Sequence, residues 1–251
     1  MKRLLSSNNF IVTAALALAA ALAWAWLLSS PMPSEASRMG GMPMQPAPLS
    51  AAYLIPAFAM WSIMMVAMMI PSAAPMILLY ARIDRTPSAK ARLGHTVLFA
   101  LAYVLVWTVF SAAAATAQAA LVATGAVSAA VLSVGTGGLA AGLLVTAALY
   151  ELTKAKHLCL DKCQSPLEFI FRYWRPGAAG ALRLGIAHGV FCVGCCWALM
   201  LLLFVGGVMN LAWVAVLGIV IIGQKLAPAK WHAEQCLAAA LAVGGVALLV
   251  S

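Results

Sequence analysis

Six cysteines, four histidines and thirteen methionines supply the metal-binding chemistry available to this chain of 251 residues, and most of them are grouped. The densest group is His188, Cys192, Cys195 and Cys196, inside an apolar run. On a helix these four share one face about 100° wide and span ~12 Å along the axis. Met200 extends that ladder by one more turn. A second group, His157-x-Cys159-x-x-x-Cys163, falls in the longest polar loop, residues 151–180. If that stretch is helical, Cys159 and Cys163 lie one turn apart and can chelate one ion.

Ten of the methionines lie between Met32 and Met76. Met60, Met64 and Met68 form one stripe of an apolar helix, and Met65, Met69 and Met76 form a second beside it. Met42 and Met44 precede them in a segment rich in Pro, Ser, Gly and Met. Thioether sulfur is soft and uncharged, so it suits Cu(I) and can bind it inside a bilayer without burying an anion. A thiol in apolar surroundings resists ionising, and a bound cation reverses that preference. Zinc more often draws four Cys, His or carboxylate ligands. The six acidic residues are Glu35, Asp84, Glu151, Asp161, Glu168 and Glu234, and none is expected at mid-membrane depth. Hard cations then have no site, and a proton-coupled carrier lacks its buried acid. The competing reading is packing, since Met fills irregular gaps and buried Cys acts as a small hydrophobe. Cys236, His95 and His232 stand apart from both groups and read as structural.

The elements that must position these ligands follow from composition. Hydrophobic residues make up 65% of the chain and charged ones 8%, with a mean hydropathy of +1.02. A soluble domain carries about 25% charged residues, so no soluble fold could cover this much apolar surface. The expected class is all-α: a single polytopic membrane helix bundle over residues 1–251. It comprises a first helix with a Met/Pro-rich outer loop (1–52), a core (53–230) and a last helix (231–251). Seven spans are expected, over residues 10–28, 53–80, 96–122, 127–150, 182–205, 211–223 and 236–250. Pro71 and Pro75 interrupt the second, and Gly135, Gly137, Gly138 and Gly142 suit close packing of the fourth. The first run is longer than a signal-peptide core and ends in Trp24-Ala25-Trp26, so it reads as retained.

With the N-terminus in the cytoplasm and the C-terminus outside, every Lys and Arg except Arg38 falls on the cytoplasmic side. These basic residues read as surface anchors and are assigned no ligand. The net charge of +9 therefore fixes topology, and no base-reading element accompanies it, so nucleic acid is not an expected partner.

Three blocks carry a resemblance: MWSIMMVAMMIPSAAP, KHLCLDKCQSP and HGVFCVGCCWALMLLLFVGGVMNLAW. In this order, over roughly residues 53–230, the chain resembles a bacterial family of predicted metal-binding integral membrane proteins, often labelled copper chaperones. The resemblance implies a multi-pass protein of the bacterial inner membrane that binds metal. Its ligands would map onto Cys159, Cys163, Cys192, Cys195, Cys196 and the Met60–Met69 block. Gln224 departs from the pattern, where an acidic residue is expected before the Lys. A looser likeness joins the layout to bacterial mercuric-ion transporters, which pair a vicinal cysteine pair in a membrane helix with a second pair facing the cytoplasm.

The reading that follows is a soft-metal protein for Cu(I). Met42 and Met44 capture the ion outside, the methionine stripes and the Cys192 group hold or relay it, and Cys159 and Cys163 exchange it on the cytoplasmic side. The lipid bilayer and a copper donor, acceptor or membrane cuproenzyme are the expected partners. Two alternatives are a membrane thiol–disulfide oxidoreductase using Cys192 and Cys195, and a structural or assembly subunit. There is no Gly-rich phosphate loop, nucleophile elbow or HExxH, so no catalytic residue is assigned and no enzyme is expected.

Overall fold

The computed structural model of the chain describes residues 2–29, 47–128, 132–227, 231 and 233–250, with side chains from Asn9 onward. Met42, Met44, Arg38 and His232 lie outside the described residues. The described chain is α-helical: α1 (Lys2–Ser29), α2 (Ala51–Ile83), α3 (Ala89–Ala123), α4 (Gly137–Glu151), α5 (Lys154–Gln164), α6 (Pro166–Tyr173), α7 (Gly177–Leu201), α8 (Leu203–Gly206), α9 (Leu211–Leu226) and α10 (Ala233–Val250). Among the described residues, five stretches are long and apolar enough to cross a membrane: residues 9–29 of α1, then α2, α3, α7 with α8, and α10. Helices α4 and α9 are equally apolar in character but only 15 and 16 residues long.

Starts are set by short polar side chains that accept from an exposed backbone N–H of the first turn. Ser88 caps α3, Thr136 caps α4, Thr153 caps α5 and Asn210 caps α9. The cap at Thr136 moves the start of the fourth apolar helix to Gly137, ten residues later than expected. Ahead of the cap, Val127 and Val134 instead form an isolated antiparallel bridge.

Helix α2 runs on through Pro56, and it is also continuous at Pro71 and Pro75, where an interruption was expected. Here the Ser72 and Tyr103 hydroxyls both donate to the Met69 carbonyl, at 2.9 and 3.2 Å.

Helix α3 lies along α7, α2 lies against both α1 and α3, and α10 pairs with α4. Two glycines on α7 allow the closest of these approaches. A Cβ on Gly185 would sit 2.3 Å from the Phe99 carbonyl oxygen, and one on Gly189 would sit 2.8 Å from the Val106 side chain. Small residues one turn apart let two helices pack backbone to side chain, and this brings Tyr103 of α3 over the cysteines of α7. The glycines expected to serve α4 do so only in part. A Cβ on Gly137 would sit 3.4 Å from the Leu248 carbonyl oxygen, whereas one on Gly135, Gly138 or Gly142 would meet nothing within 4 Å, and it is Gly245 of α10 that admits Val145.

The largest departure is the segment read as a polar loop. Residues 154–173 are two helices, and α5 packs on α7. Pro166 fits the first turn of α6, whose N–H groups need no partner within the helix. Glu168 in that turn and Arg172 in the last complement the helix dipole. Phe169 and Ile170 are fully buried, so α6 is anchored by its apolar side.

Candidate metal centre

Cysteine 192, Cys195 and Cys196 project from one face of α7, and all three are buried at 0–1% exposure. Their sulfurs lie within 4.8 Å of one another. The Cys195 and Cys196 thiols are aimed inward by their own helix, at 3.1 and 2.9 Å from the Cys192 carbonyl. Both contacts span one turn, as expected for side chains at i+3 and i+4. No described cysteine is in a disulfide.

The second cysteine group joins the first. Cys163 Sγ is 4.0 Å from Cys195 Sγ. Cys159 packs against Gly194, where a Cβ would come within 2.7 Å of its sulfur. The sequence places these cysteines in separate settings; helix α5 brings them together. The Tyr150 hydroxyl also donates to the Gly194 carbonyl, holding α4 to the same spot. Burial, and after it the nearby Cys195, pushes the Cys159 thiol above its ordinary pKa, with Lys156 opposing. His157 is half-buried, and on α5 it points about 160° away from Cys159, so it does not join the cluster.

Two basic residues that read as surface anchors are instead interior. Lys225, at the end of α9, places Nζ 2.9 Å from Cys192 Sγ and 2.8 Å from Ser72 Oγ. The Tyr103 hydroxyl is 3.1 Å from the same sulfur. Lys156 of α5 donates to Glu151 at 2.8 Å and to the Gln224 side-chain oxygen at 2.9 Å, and Gln224 Nε2 returns to Glu151 at 2.7 Å. Glu151 and Lys156 are both fully buried, which corrects the expectation of no buried acid. Gln164 closes the group by donating to the Gln224 carbonyl at 2.8 Å. The departure at Gln224 thus has a structural meaning: a neutral amide satisfies both members of an ion pair, where a second carboxylate would leave an excess negative charge. Only the pairing of Gln224-Lys225 at the end of an apolar helix hinted at either lysine's depth.

His188 sits one turn before Cys192 at 2% exposure. Its ring lies among aromatics, with centroids 5.3 Å from Tyr103, 5.7 Å from Phe169 and 6.2 Å from Phe99. Neither ring nitrogen has a hydrogen-bond partner. An imidazole buried without partners is costly, and a ligand taken up by one nitrogen would remove that cost. His188 is nevertheless outside the three-sulfur cluster.

The methionines of α2 and Met200 are interior. Met64, Met65, Met68 and Met69 are buried, Met60 is half-buried, and Met200 is buried one turn beyond Cys196. Met69 is linked to the cluster through Ser72, whose hydroxyl lies 4.0 Å from its sulfur and binds Lys225. Met68 packs on Gly218 of α9. Cys236 is exposed and His95 pairs with Asp84 at 2.9 Å, away from the cluster.

The cluster is therefore three to four soft sulfurs, a tyrosine hydroxyl and one ammonium, with no carboxylate in contact among the described residues. That donor set fits a soft monovalent cation and is poor for Mg or Ca. The family model for the PpoB2 copper chaperones matches residues 58–248, from within α2 through nearly all of α10. No curated protein and no solved structure matches the chain. By that family match, the chain belongs to the copper chaperone family.

Proposed function

We propose that this copper chaperone is an integral membrane protein that binds Cu(I) at the thiols of α7 and α5 and passes it on to a partner. The observation that carries the reading is the set of three fully buried sulfurs within 4.8 Å of one another, with a fourth 4.0 Å beyond. Soft sulfur selects Cu(I) over harder ions. Two thiolates on a Cu(I) leave one negative charge, and Lys225 beside Cys192 neutralises it within a low-dielectric interior. His188 is a reserve ligand one turn away on the same helix face.

In this reading the five long helices and the shorter α4 and α9 all cross the bacterial inner membrane, seven spans with the N-terminus inside and the C-terminus outside. The distribution of Lys and Arg supports that topology. The methionines of α2 hold or relay the ion, Met42 and Met44 capture it outside, and Cys159 and Cys163 exchange it on the cytoplasmic side. A copper donor, an acceptor or a membrane cuproenzyme is the partner, and no enzymatic step is required. The close approach of Cys163 and Cys195 favours, as a second reading, a thiol–disulfide exchange site.

The deciding experiment is elemental analysis of the detergent-purified protein after expression with Cu, Zn and Fe supplied. About one copper per chain, lost when Cys192, Cys195 and Cys196 are replaced together by Ser, is the expected result. Unchanged copper in the triple variant overturns the reading. Absence of metal, with a disulfide within the cluster that responds to quinone depletion, transfers it to redox chemistry.

A further inference from the structure

The three α7 thiols are 0–1% exposed, so no incoming thiol reaches them in this arrangement. Ligand exchange needs the acceptor sulfur within bonding distance of the metal, so an element over the cluster has to move. Helix α5 is that element, with Cys163 4.0 Å from Cys195 and Cys159 against Gly194. Lys156, Cys159, Leu160 and Cys163 follow at i, i+3, i+4 and i+7 and share its inward face. Lys156 and Leu160 are buried there, and the two cysteines are half-buried. Lys154, Leu158 and Asp161, on the opposite side, are exposed. One large apolar side chain therefore seats α5, and polar contacts supply the rest.

Those contacts converge on the end of α9. Lys156 donates to Glu151 and Gln224, and Gln224 donates back to Glu151. Gln164 donates to the backbone carbonyls of Gln224 and Ala227, at 2.8 and 3.3 Å. The adjoining α6 is held differently: Phe169 and Ile170 are fully buried, and the Phe169 ring lies 5.7 Å from His188 and 5.8 Å from Phe191 of α7. Segments with few buried apolar contacts are the ones that open locally, so α5 opens before α6 does. The helix is also broken at both ends of α5. Leu152 and Thr153 precede it, and Ser165 follows with a backbone (φ −111°, ψ 68°) that belongs to neither α5 nor α6.

We propose that α5 is a latched strap that rolls outward about these two breaks, uncovering the α7 thiols and carrying Cys159 and Cys163 out to a thiol-bearing partner. The proposal rests on the reading of the cluster as a Cu(I) exchange site. Rolling about its own axis needs no extra chain, since both ends stay anchored. It takes Cys163 away from Cys195, so the metal keeps fewer sulfurs as the partner's thiolate arrives. One metal–sulfur bond forms as another breaks, at constant oxidation state, and the displaced thiolate takes up the proton that the incoming thiol loses. An ion shared between Cys163 and Cys195 holds the strap shut in turn, because a ligand favours the state that binds it better.

The test is maleimide labelling of the metal-free full chain in detergent, resolved cysteine by cysteine by mass spectrometry. In wild type Cys195 labels far more slowly than the exposed Cys236. Gln164→Leu, which cuts the two bonds to the end of α9, raises the rates at Cys163 and Cys195 about tenfold. Gln118→Leu is the comparison, since it cuts a similar pair of bonds between α3 and α2, to Trp61 and Tyr53, and leaves both rates unchanged. Bound Cu(I) protects Cys195 in wild type, and Gln164→Leu hands the ion to a dithiol acceptor about tenfold faster at unchanged stoichiometry. The charge-neutral Glu151→Gln/Lys156→Met variant raises the same rates and carries the test if Gln164→Leu melts early. Wild-type rates in the folded latch variants, or equal acceleration by Gln118→Leu, overturn the strap alone. The expected labelling pattern in a protein that binds no Cu(I) supports the movement and overturns the metal reading on which its role rests.

Discussion

The ammonium of Lys225 lies 2.9 Å from the sulfur of Cys192, and its other partner is the Ser72 hydroxyl at 2.8 Å. No carboxylate contacts it among the described residues. A buried cation is expensive unless an opposite charge or strong acceptors face it. The acceptors here are a thiol sulfur and a hydroxyl, so the cluster is arranged to carry negative charge on sulfur. A metal–thiolate centre of net charge −1 meets that requirement.

Replacing Lys225 by Met removes that balancing charge while conserving much of the side-chain volume. Hydrogen bonds to charged groups contribute about 1.5–3 kcal/mol, so Cu(I) affinity should fall roughly 10- to 100-fold. Competition titration against a Cu(I) chelator reads the change directly. An affinity equal to wild type would mean that the lysine only fills space.

The two α5 cysteines should behave differently. Cys163 approaches Cys195 at 4.0 Å, whereas Cys159 is pressed on Gly194. Cys163→Ser should weaken Cu(I) binding by about tenfold, and Cys159→Ser should leave it nearly unchanged, because loss of a ligand outweighs loss of a packing contact. Equal effects of the two substitutions in the same titration would contradict the placement of Cys163 as the fourth sulfur.

The Glu151–Lys156 pair is fully buried on both sides. Removing one partner leaves an uncompensated charge and should cost about 3–5 kcal/mol, whereas removing both should cost much less. Thermal unfolding in detergent of Glu151→Gln, Lys156→Met and the double variant forms a cycle that isolates the coupling. Additive losses would show that the pair is not coupled. Because Gln224 and Gln164 tie this pair to α9, the single variants should also loosen α5 and raise alkylation of Cys163.

Asp84 follows α2 and accepts from the Thr86 hydroxyl at 2.7 Å, the Thr86 backbone at 3.0 Å and His95 at 2.9 Å. Burial raises its pKa, but the hydrogen bonds and the His95 charge together outweigh burial and hold it below the ordinary carboxylate value. A depressed folded pKa means that the stabilisation is complete above the unfolded value, near ~3.9, and is lost as pH falls through the folded one. Melting temperatures of wild type should therefore drop in acid below about pH 4, and Asp84→Asn should be less stable at neutral pH with a flatter acid slope. Parallel pH profiles would rule out this role.

The cysteines of α7 were legible because a helix repeats by geometry: residues at i, i+3 and i+4 share a face wherever the helix lies. The same rule gives the two methionine stripes, and composition alone gives an all-α chain with long apolar helices. What the sequence could not fix was whatever depends on which helix lies beside which. Cys163 meets Cys195 only because residues 154–164 form a helix that packs on α7, although their polarity reads as a loop. Lys156, Lys225 and Glu151 look like interfacial charges in one dimension, since burial of a charge depends on partners 5 to 153 positions away. Gly185 and Gly189 read as two glycines among many until α3 is laid against them. Local periodicity is a property of backbone dihedrals and is written in sequence. The pairing of an ammonium with a thiol depends on packing between distant elements, so only the tertiary structure decides it.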